Sequence, residues 1–383
     1  MRGGRRFART GRSILLPVAF GFLLAVPMGL ATGASQSPAA APAPLSASVP
    51  HVYYTSSVDG WNLSYDEWLP TNYNASHSYP LIVYLHGQQD ISGAWYRGGL
   101  NADIVNWLNA TGSVGITARA LLNATKSMGF ILIAINTRSG SGWYVNSPCG
   151  GPQQQDVVDA ILHERALRHI SKMYLFGFSM GSEGTLSFAA KYRVFSGIGV
   201  LGPVTDLFED IAYRQSLGGS VTWANNSINA KAFLFCGVLP GTGNASQRAL
   251  IPVYENMSPL RFRPQAFAGV PIYVGAGGTD DRAPDNTAIW AYWMNANNTF
   301  VNKTCNHAAS LGEPAKCSTP MGVVHLTNPS YTFRFLYESK HGHDFALLDP
   351  LDMLGFWTGA NPGGYYLGNY PFTTLTNNTS LRY

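Results

Sequence analysis

Met173-Tyr174-Leu175-Phe176-Gly177-Phe178-Ser179-Met180-Gly181 is the stretch on which the reading of this chain turns. An apolar run of strand character leads into a glycine, a serine follows two residues later, and a second glycine two residues after that. Beyond it, Leu186 and Ala190 keep the i, i+4 spacing of a helix. A serine on a tight turn between a buried strand and a helix is pushed out above the end of a sheet. Glycines on either side let the backbone turn without Cβ clashes. The helix start behind it offers a favourable field for a developing anion. This pattern makes Ser179 the first candidate nucleophile.

Working outward, short apolar runs recur at 81–85, 131–135, 198–201 and 270–274, and 331–337 alternates Tyr, Phe, Phe, Tyr. Continuous apolar strands mark a sheet buried on both faces, hence mostly parallel. Helical spacing falls between them, in Val157/Ile161, in Val158/Leu162 and over 288–294. Residues 52–57 and 61–69 read as a hairpin around the turn Asp59-Gly60. Alternation of strand and helix predicts an α/β fold with helices on both faces of the sheet, occupying 51–383. Residues 206–262 exceed a plain crossover and read as a small helical, cap-like excursion over one edge of the sheet.

Partners for the serine should stand at other strand ends. The 270–274 run leads into Gly275-Ala276-Gly277-Gly278-Thr279-Asp280-Asp281-Arg282-Ala283-Pro284, and 331–337 leads into Glu338-Ser339-Lys340-His341-Gly342-His343-Asp344. A carboxylate just past a strand end faces the same edge as the serine turn. A histidine there would accept the serine proton, and the acid would fix its tautomer. The first buried strand ends in Leu85-His86-Gly87-Gln88-Gln89. The N–H of Gln88 and the N–H of Met180 are the candidate oxyanion donors. His341-Gly342-His343-Asp344 also has the look of a metal motif, but Phe345-Ala346 stand where a further Asp-His would be needed. No metal and no cofactor is expected.

With these four segments in order, the chain resembles the α/β-hydrolase superfamily over roughly residues 52–358. Leu85-His86-Gly87 and Asp156-Val157-Val158-Asp159-Ala160-Ile161 look like secreted polyester depolymerases and feruloyl esterases. Ser258-Pro259-Leu260 and Asp280-Asp281-Arg282-Ala283-Pro284 are similar to the prolyl oligopeptidase group. The resemblance implies a doubly wound hydrolase sheet and a Ser-Asp-His triad. It selects Asp280 over Asp281, because the acid of related sequences stands four before the proline. It selects His343 over His341, because the family's histidine follows a glycine. Three departures stand out: Ser182 replaces a common glycine, Gln88-Gln89 stand where the depolymerases usually have a cysteine, and no propeller domain precedes the catalytic part. The implied substrate is an ester, with a peptide as the alternative and a non-catalytic surface glycoprotein as a third reading.

Composition sets the surroundings. Of 383 residues, 13% are aromatic, too many for a disordered chain, and no long charge run suits a nucleic-acid coat. Five of the arginines behind the net +4 lie within the first twelve residues; without them 20 basic face 21 acidic residues. Those arginines, the apolar run 14–31 and the small residues that follow have the order of a secretory signal over 1–34, with a retained membrane anchor as the alternative. Residues 35–50, rich in Ala, Pro and Ser, read as a linker. Eleven Asn-x-Ser/Thr sequons suggest a glycosylated surface. The four cysteines include no Cys-x-x-Cys pair; the pairing favoured is Cys305–Cys317 with Cys149–Cys236. An exported protein is therefore expected. Trp95, Trp143, Tyr144 and Trp223 fall on loops at the expected catalytic edge and are candidates to line a substrate cleft.

Overall fold

Along Tyr79–Leu85 the apolar side chains alternate between two cores: Leu81, Val83 and Leu85 on one face, Ile82 and Tyr84 on the other. A strand can be apolar on both sides only where both sides are covered. The computed structural model describes residues 51–88, 108, 112–138, 143–259, 264–267, 269–277, 280, 282 and 342–359, and the backbone of 305–306, 316–317, 323–328, 331–338 and 365–366. Its main strands are β1 (His51–Thr55), β2 (Asn62–Trp68), β3 (Tyr79–Leu85), β4 (Ile131–Ile135), β5 (Ile170–Phe178), β6 (Gly197–Leu201), β7 (Pro271–Gly277), β8 (Val323–Asn328), β9 (Tyr331–Glu338) and β10 (Tyr365–Tyr366). They form one sheet in the order β1-β2-β4-β3-β5-β6-β7-β9-β8-β10. From β4 to β9 every neighbouring pair is parallel. The hairpin β1–β2 joins antiparallel at one side and β8 antiparallel at the other.

Helices α1 (Ser113–Ser127), α2 (Gln153–Leu167), α3 (Met180–Tyr192), α4 (Leu207–Ser216), α5 (Thr222–Leu234), α6 (Ala245–Met257) and α7 (Pro350–Thr358) complete the frame. Helices α2 and α3 bury Val157, Ala160, Leu186 and Phe188 in the core on one face. Helices α1 and α7 bury Leu121, Leu122, Met353 and Trp357 in the core on the other. The expected fold class, a mostly parallel α/β sheet covered on both faces, is the fold observed.

Three differences from the sequence reading have local causes. Strand β7 continues through Gly275-Ala276-Gly277, because β9 pairs with it residue by residue as far as Glu338↔Gly277. Strand β8, not anticipated, returns antiparallel beside β9. Helices α1 and α7 were also not anticipated. The expected helix at 288–294, Trp95, and residues 1–50 lie outside the described residues.

The start of the frame is held by charge. Arg138, at the end of the segment after β4, is buried and makes paired bonds to Asp156 on α2 (Nε to Oδ2 2.5 Å, Nη2 to Oδ1 2.9 Å). It also pairs with Asp59 in the hairpin turn and donates to Ser56 Oγ. Asp159 receives Ser57 N–H and Oγ. The Asp156–Asp159 stretch thus clamps the hairpin onto α2.

Candidate active site

The parallel strands deliver their C-terminal ends to one edge of the sheet, and the candidate residues arrive there from four of them. Ser179 lies between β5 and α3 with φ 55° and ψ −119°, a conformation costly for any residue with a Cβ. The turn is tight enough that a Cβ on Gly181 would fall 1.9 Å from the Leu85 carbonyl oxygen, so only glycine fits. Ser179 N–H donates to Leu201 O at 2.8 Å, tying the turn to β6. Ser182 explains its own departure from the family pattern. Its hydroxyl oxygen accepts from Leu201 N–H at 2.9 Å and sits 2.7 Å from Gly177 O, bracing the turn from beneath.

Ser179 Oγ stands 2.7 Å from His343 Nε2, and His343 Nδ1 stands 2.8 Å from Asp280 Oδ2. A carboxylate can only accept, so Nδ1 carries the proton and Nε2 is free to accept from the serine hydroxyl. Asp280 is buried, and its second oxygen receives Arg282 N–H at 2.9 Å. Gly202, at φ +52°, passes behind the pair; a Cβ there would meet His343 Cε1 at 3.0 Å. Asp281 and His341 lie outside the described residues.

His86 precedes the candidate oxyanion loop and is buried. Its Nδ1 lies 2.6 Å from Gly87 O and must donate; Nε2 then accepts from Thr137 Oγ1 at 3.0 Å. Burial pushes its pKa down to about 4, against a smaller upward pull from the Gly87 carbonyl. The ring is therefore neutral and fixed in one tautomer. Met180 is buried at the start of α3, where its sulfur receives Trp143 N–H at 3.3 Å.

In front of Ser179 opens a cavity of about 1050 Å³. Gln88, Trp143 and Trp223 line it. Tyr144 does not, and its assignment to the cleft is corrected. It is 1% exposed, packs over Gly184 and donates its hydroxyl to His86 O at 3.1 Å. A tyrosine can satisfy its hydroxyl in the interior, and this one supports the loop from below. Cys149 and Cys236 are joined, with Cα atoms 5.4 Å apart. Cys305 and Cys317 face each other across a two-residue antiparallel ladder; their side chains lie outside the description.

The sequence reading missed a polar relay from the helical excursion. Asp210 on α4 binds Arg214 Nε through both oxygens, at 2.8 Å each, and pairs with Lys231 of α5. Arg214 Nη1 donates to Ser227 Oγ at 3.0 Å, and Ser227 donates to Gln88 Oε1 at 2.5 Å. Burial pushes the Asp210 carboxyl up, but the two cations outweigh it and hold it below the usual carboxylate range. The signal present in sequence was the Asp210/Arg214 i, i+4 pair.

No protein-family model matches the chain, and no curated protein matches it in sequence. Solved structures do match in shape. The fluorophosphonate-binding serine hydrolase F of Staphylococcus aureus is 13% identical, over 88% of this chain and 98% of its own, with a TM-score of 0.44. An S-formylglutathione hydrolase from Agrobacterium tumefaciens is 11% identical, over 81% and 94%, at 0.46. An acylaminoacyl peptidase from Pyrococcus horikoshii is 14% identical, over 80% of this chain but 40% of its own, at 0.47. The strand order and the turn between β5 and α3 decide the fold. This is an α/β-hydrolase fold. In an α/β-hydrolase sheet, the ends of β3, β5, β7 and β9 border one cleft, and here they carry Gln88, Ser179, Asp280 and His343 in turn.

Proposed function

We propose that the chain is an exported serine hydrolase that cleaves carboxylic esters through an acyl-enzyme. The observation that carries this reading is the continuous chain of contacts Ser179 Oγ–His343 Nε2 and His343 Nδ1–Asp280 Oδ2, at 2.7 and 2.8 Å. Ser179 Oγ attacks the substrate carbonyl as its proton passes to His343 Nε2. Asp280 holds the imidazole in register and stabilises its charged form. The N–H groups of Gln88 and Met180 receive the oxyanion. His343 then gives its proton to the departing alcohol, and water releases the acid by the same steps in reverse.

An ester is favoured over a peptide held by its amine terminus because, among the described residues, a single carboxylate, Asp344, lines the cavity, with its Oδ1 accepting Ala346 N–H at 2.9 Å. A trimming peptidase needs acidic groups to hold its substrate's amine. Export is supported by the Cys149–Cys236 bridge and by the sequon asparagines: Asn62, Asn74, Asn123, Asn244 and Asn256 are exposed. The N-terminal signal, the Cys305–Cys317 bridge and glycosylation belong to the same proposal.

A fluorophosphonate probe should label the wild-type protein at Ser179, and Ser179→Ala should lower aryl-ester turnover by about 10⁴-fold or more with an unchanged fold. Wild-type turnover in that variant would overturn the reading. Aryl esters compared with proline-containing peptide amides separate an esterase from a peptidase.

A further inference from the structure

We infer that the substrate carries a carboxylate, received beside the scissile ester by Arg282. The inference rests on the serine hydrolase reading and names the substrate class of that same site.

Arg282 stands two residues after Asp280 and lines the cavity that holds Ser179. Its backbone is fixed at both ends. Its N–H donates to Asp280 Oδ1 at 2.9 Å, and its carbonyl accepts from Arg214 Nη2 at 2.7 Å. Its side chain is exposed, and no carboxylate among the described residues pairs with it. The guanidinium lies over Trp223, 5.7 Å from the ring centroid, and Arg214 lies over the same ring at 5.0 Å. Two guanidinium groups are thus gathered around one indole at the wall of the cavity.

The nearby carboxylates are bonded to other groups. Arg214 shares the Asp210 carboxylate with Lys231, which also lies within electrostatic reach of Glu183. Asp280 is held by His343 and the Arg282 N–H, and Asp344 Oδ1 by Ala346 N–H. Arg282 therefore offers a planar fork of donors, pre-placed on an aromatic face, with no carboxylate partner among the described residues. A carboxylate matches that fork in shape and charge. The remaining wall is mixed, with Ser220, Thr222 and Asn226 beside Val114, Phe178 and Phe345, so it can take both polar and apolar parts of an acidic substrate.

The test uses two matched pairs of esters with the full-length protein. One pair places the charge on the acyl side: the mono-p-nitrophenyl ester of adipic acid against its methyl-capped analogue. The other places it on the alcohol side: 3-carboxy-4-nitrophenyl butyrate against p-nitrophenyl butyrate. In at least one pair the carboxylate form should have a kcat/KM about fivefold higher at low salt, corrected for spontaneous hydrolysis, and the preference should shrink as salt rises. That ratio should collapse in Arg282→Met, which keeps a stem on Trp223, and survive in Arg282→Lys. A neutral preference in both pairs, or a carboxylate preference that persists in Arg282→Met, overturns the inference while leaving the hydrolase reading intact. Absence of turnover with all four esters and absence of fluorophosphonate labelling overturn both.

Discussion

Residue-level chemistry sets an acid limit on this protein. The folded pKa of His86, about 4, lies below the 6.5 of an unperturbed histidine, chiefly because burial disfavours its charged form. Between those values the unfolded chain binds the extra proton. The stability His86 contributes is whole above pH 6.5, is lost as pH falls toward 4, and levels off below that; its full size is about 3 kcal/mol. Urea melts from pH 7.5 to 4 should show this acid slope in the wild type and a shallower one in His86→Gln. An equal slope would mean that His86 is not buried as a neutral ring. The misreading of Tyr144 belongs to the same scale. An aromatic residue on a loop carries no mark of whether it faces a cleft or the interior; the space above Gly184 decided that, and Gly184 lies 40 residues further along the chain.

Among elements, the excursion 206–262 is more than a wall of the cleft. Helix α5 reaches the candidate oxyanion loop through Ser227, and α4 supplies the Arg214 that holds Ser227. Ser227→Ala should therefore lower kcat for an aryl ester by about tenfold, through loss of Gln88 alignment, with a smaller change in KM. An unchanged kcat would assign Ser227 to packing alone. The parallel strands and the meeting of the segments that carry Ser179, Asp280 and His343 were legible in the sequence for a physical reason, while the choice of Asp280 over Asp281 and of His343 over His341 came from the family resemblance. In a parallel sheet every strand's C-terminal end faces one edge, so motifs placed just beyond apolar runs must gather there, even when 164 residues apart. Arg214, Ser227 and Arg282 were not legible. Their roles arise from how helices pack across the cleft, and that packing leaves no period in the sequence. Strand β8 went unseen for a related cause: an antiparallel return needs only a short turn and no crossover helix to announce it.

At the scale of the molecule, the Cys149–Cys236 bridge fastens the far end of α5 to the segment that leads into α2, closing 87 residues of chain. Cys149 N–H also donates to Leu234 O at 3.2 Å, so bridge and backbone hold the same place. A loop of that length gives a chain-entropy contribution of about 4.5 kcal/mol. Cys149→Ser with Cys236→Ser should lower the melting temperature by several degrees or more. It should lower kcat less than Ser227→Ala does, since the excursion keeps its helix contacts at moderate temperature. A melting temperature equal to the wild type would show that the bridge does not form in the folded protein.

The backbone at Ser179 has a consequence for how the sequence can change over generations. The left-handed conformation there strains any residue that carries a Cβ, and glycine alone would relax it, by about 1–3 kcal/mol. Stability and chemistry therefore pull this one position in opposite directions. Libraries of the gene screened only for survival of heating should accumulate glycine at 179, whereas libraries screened for turnover should keep serine. Drift, left to itself, would erase the candidate nucleophile before it disturbed the sheet beneath.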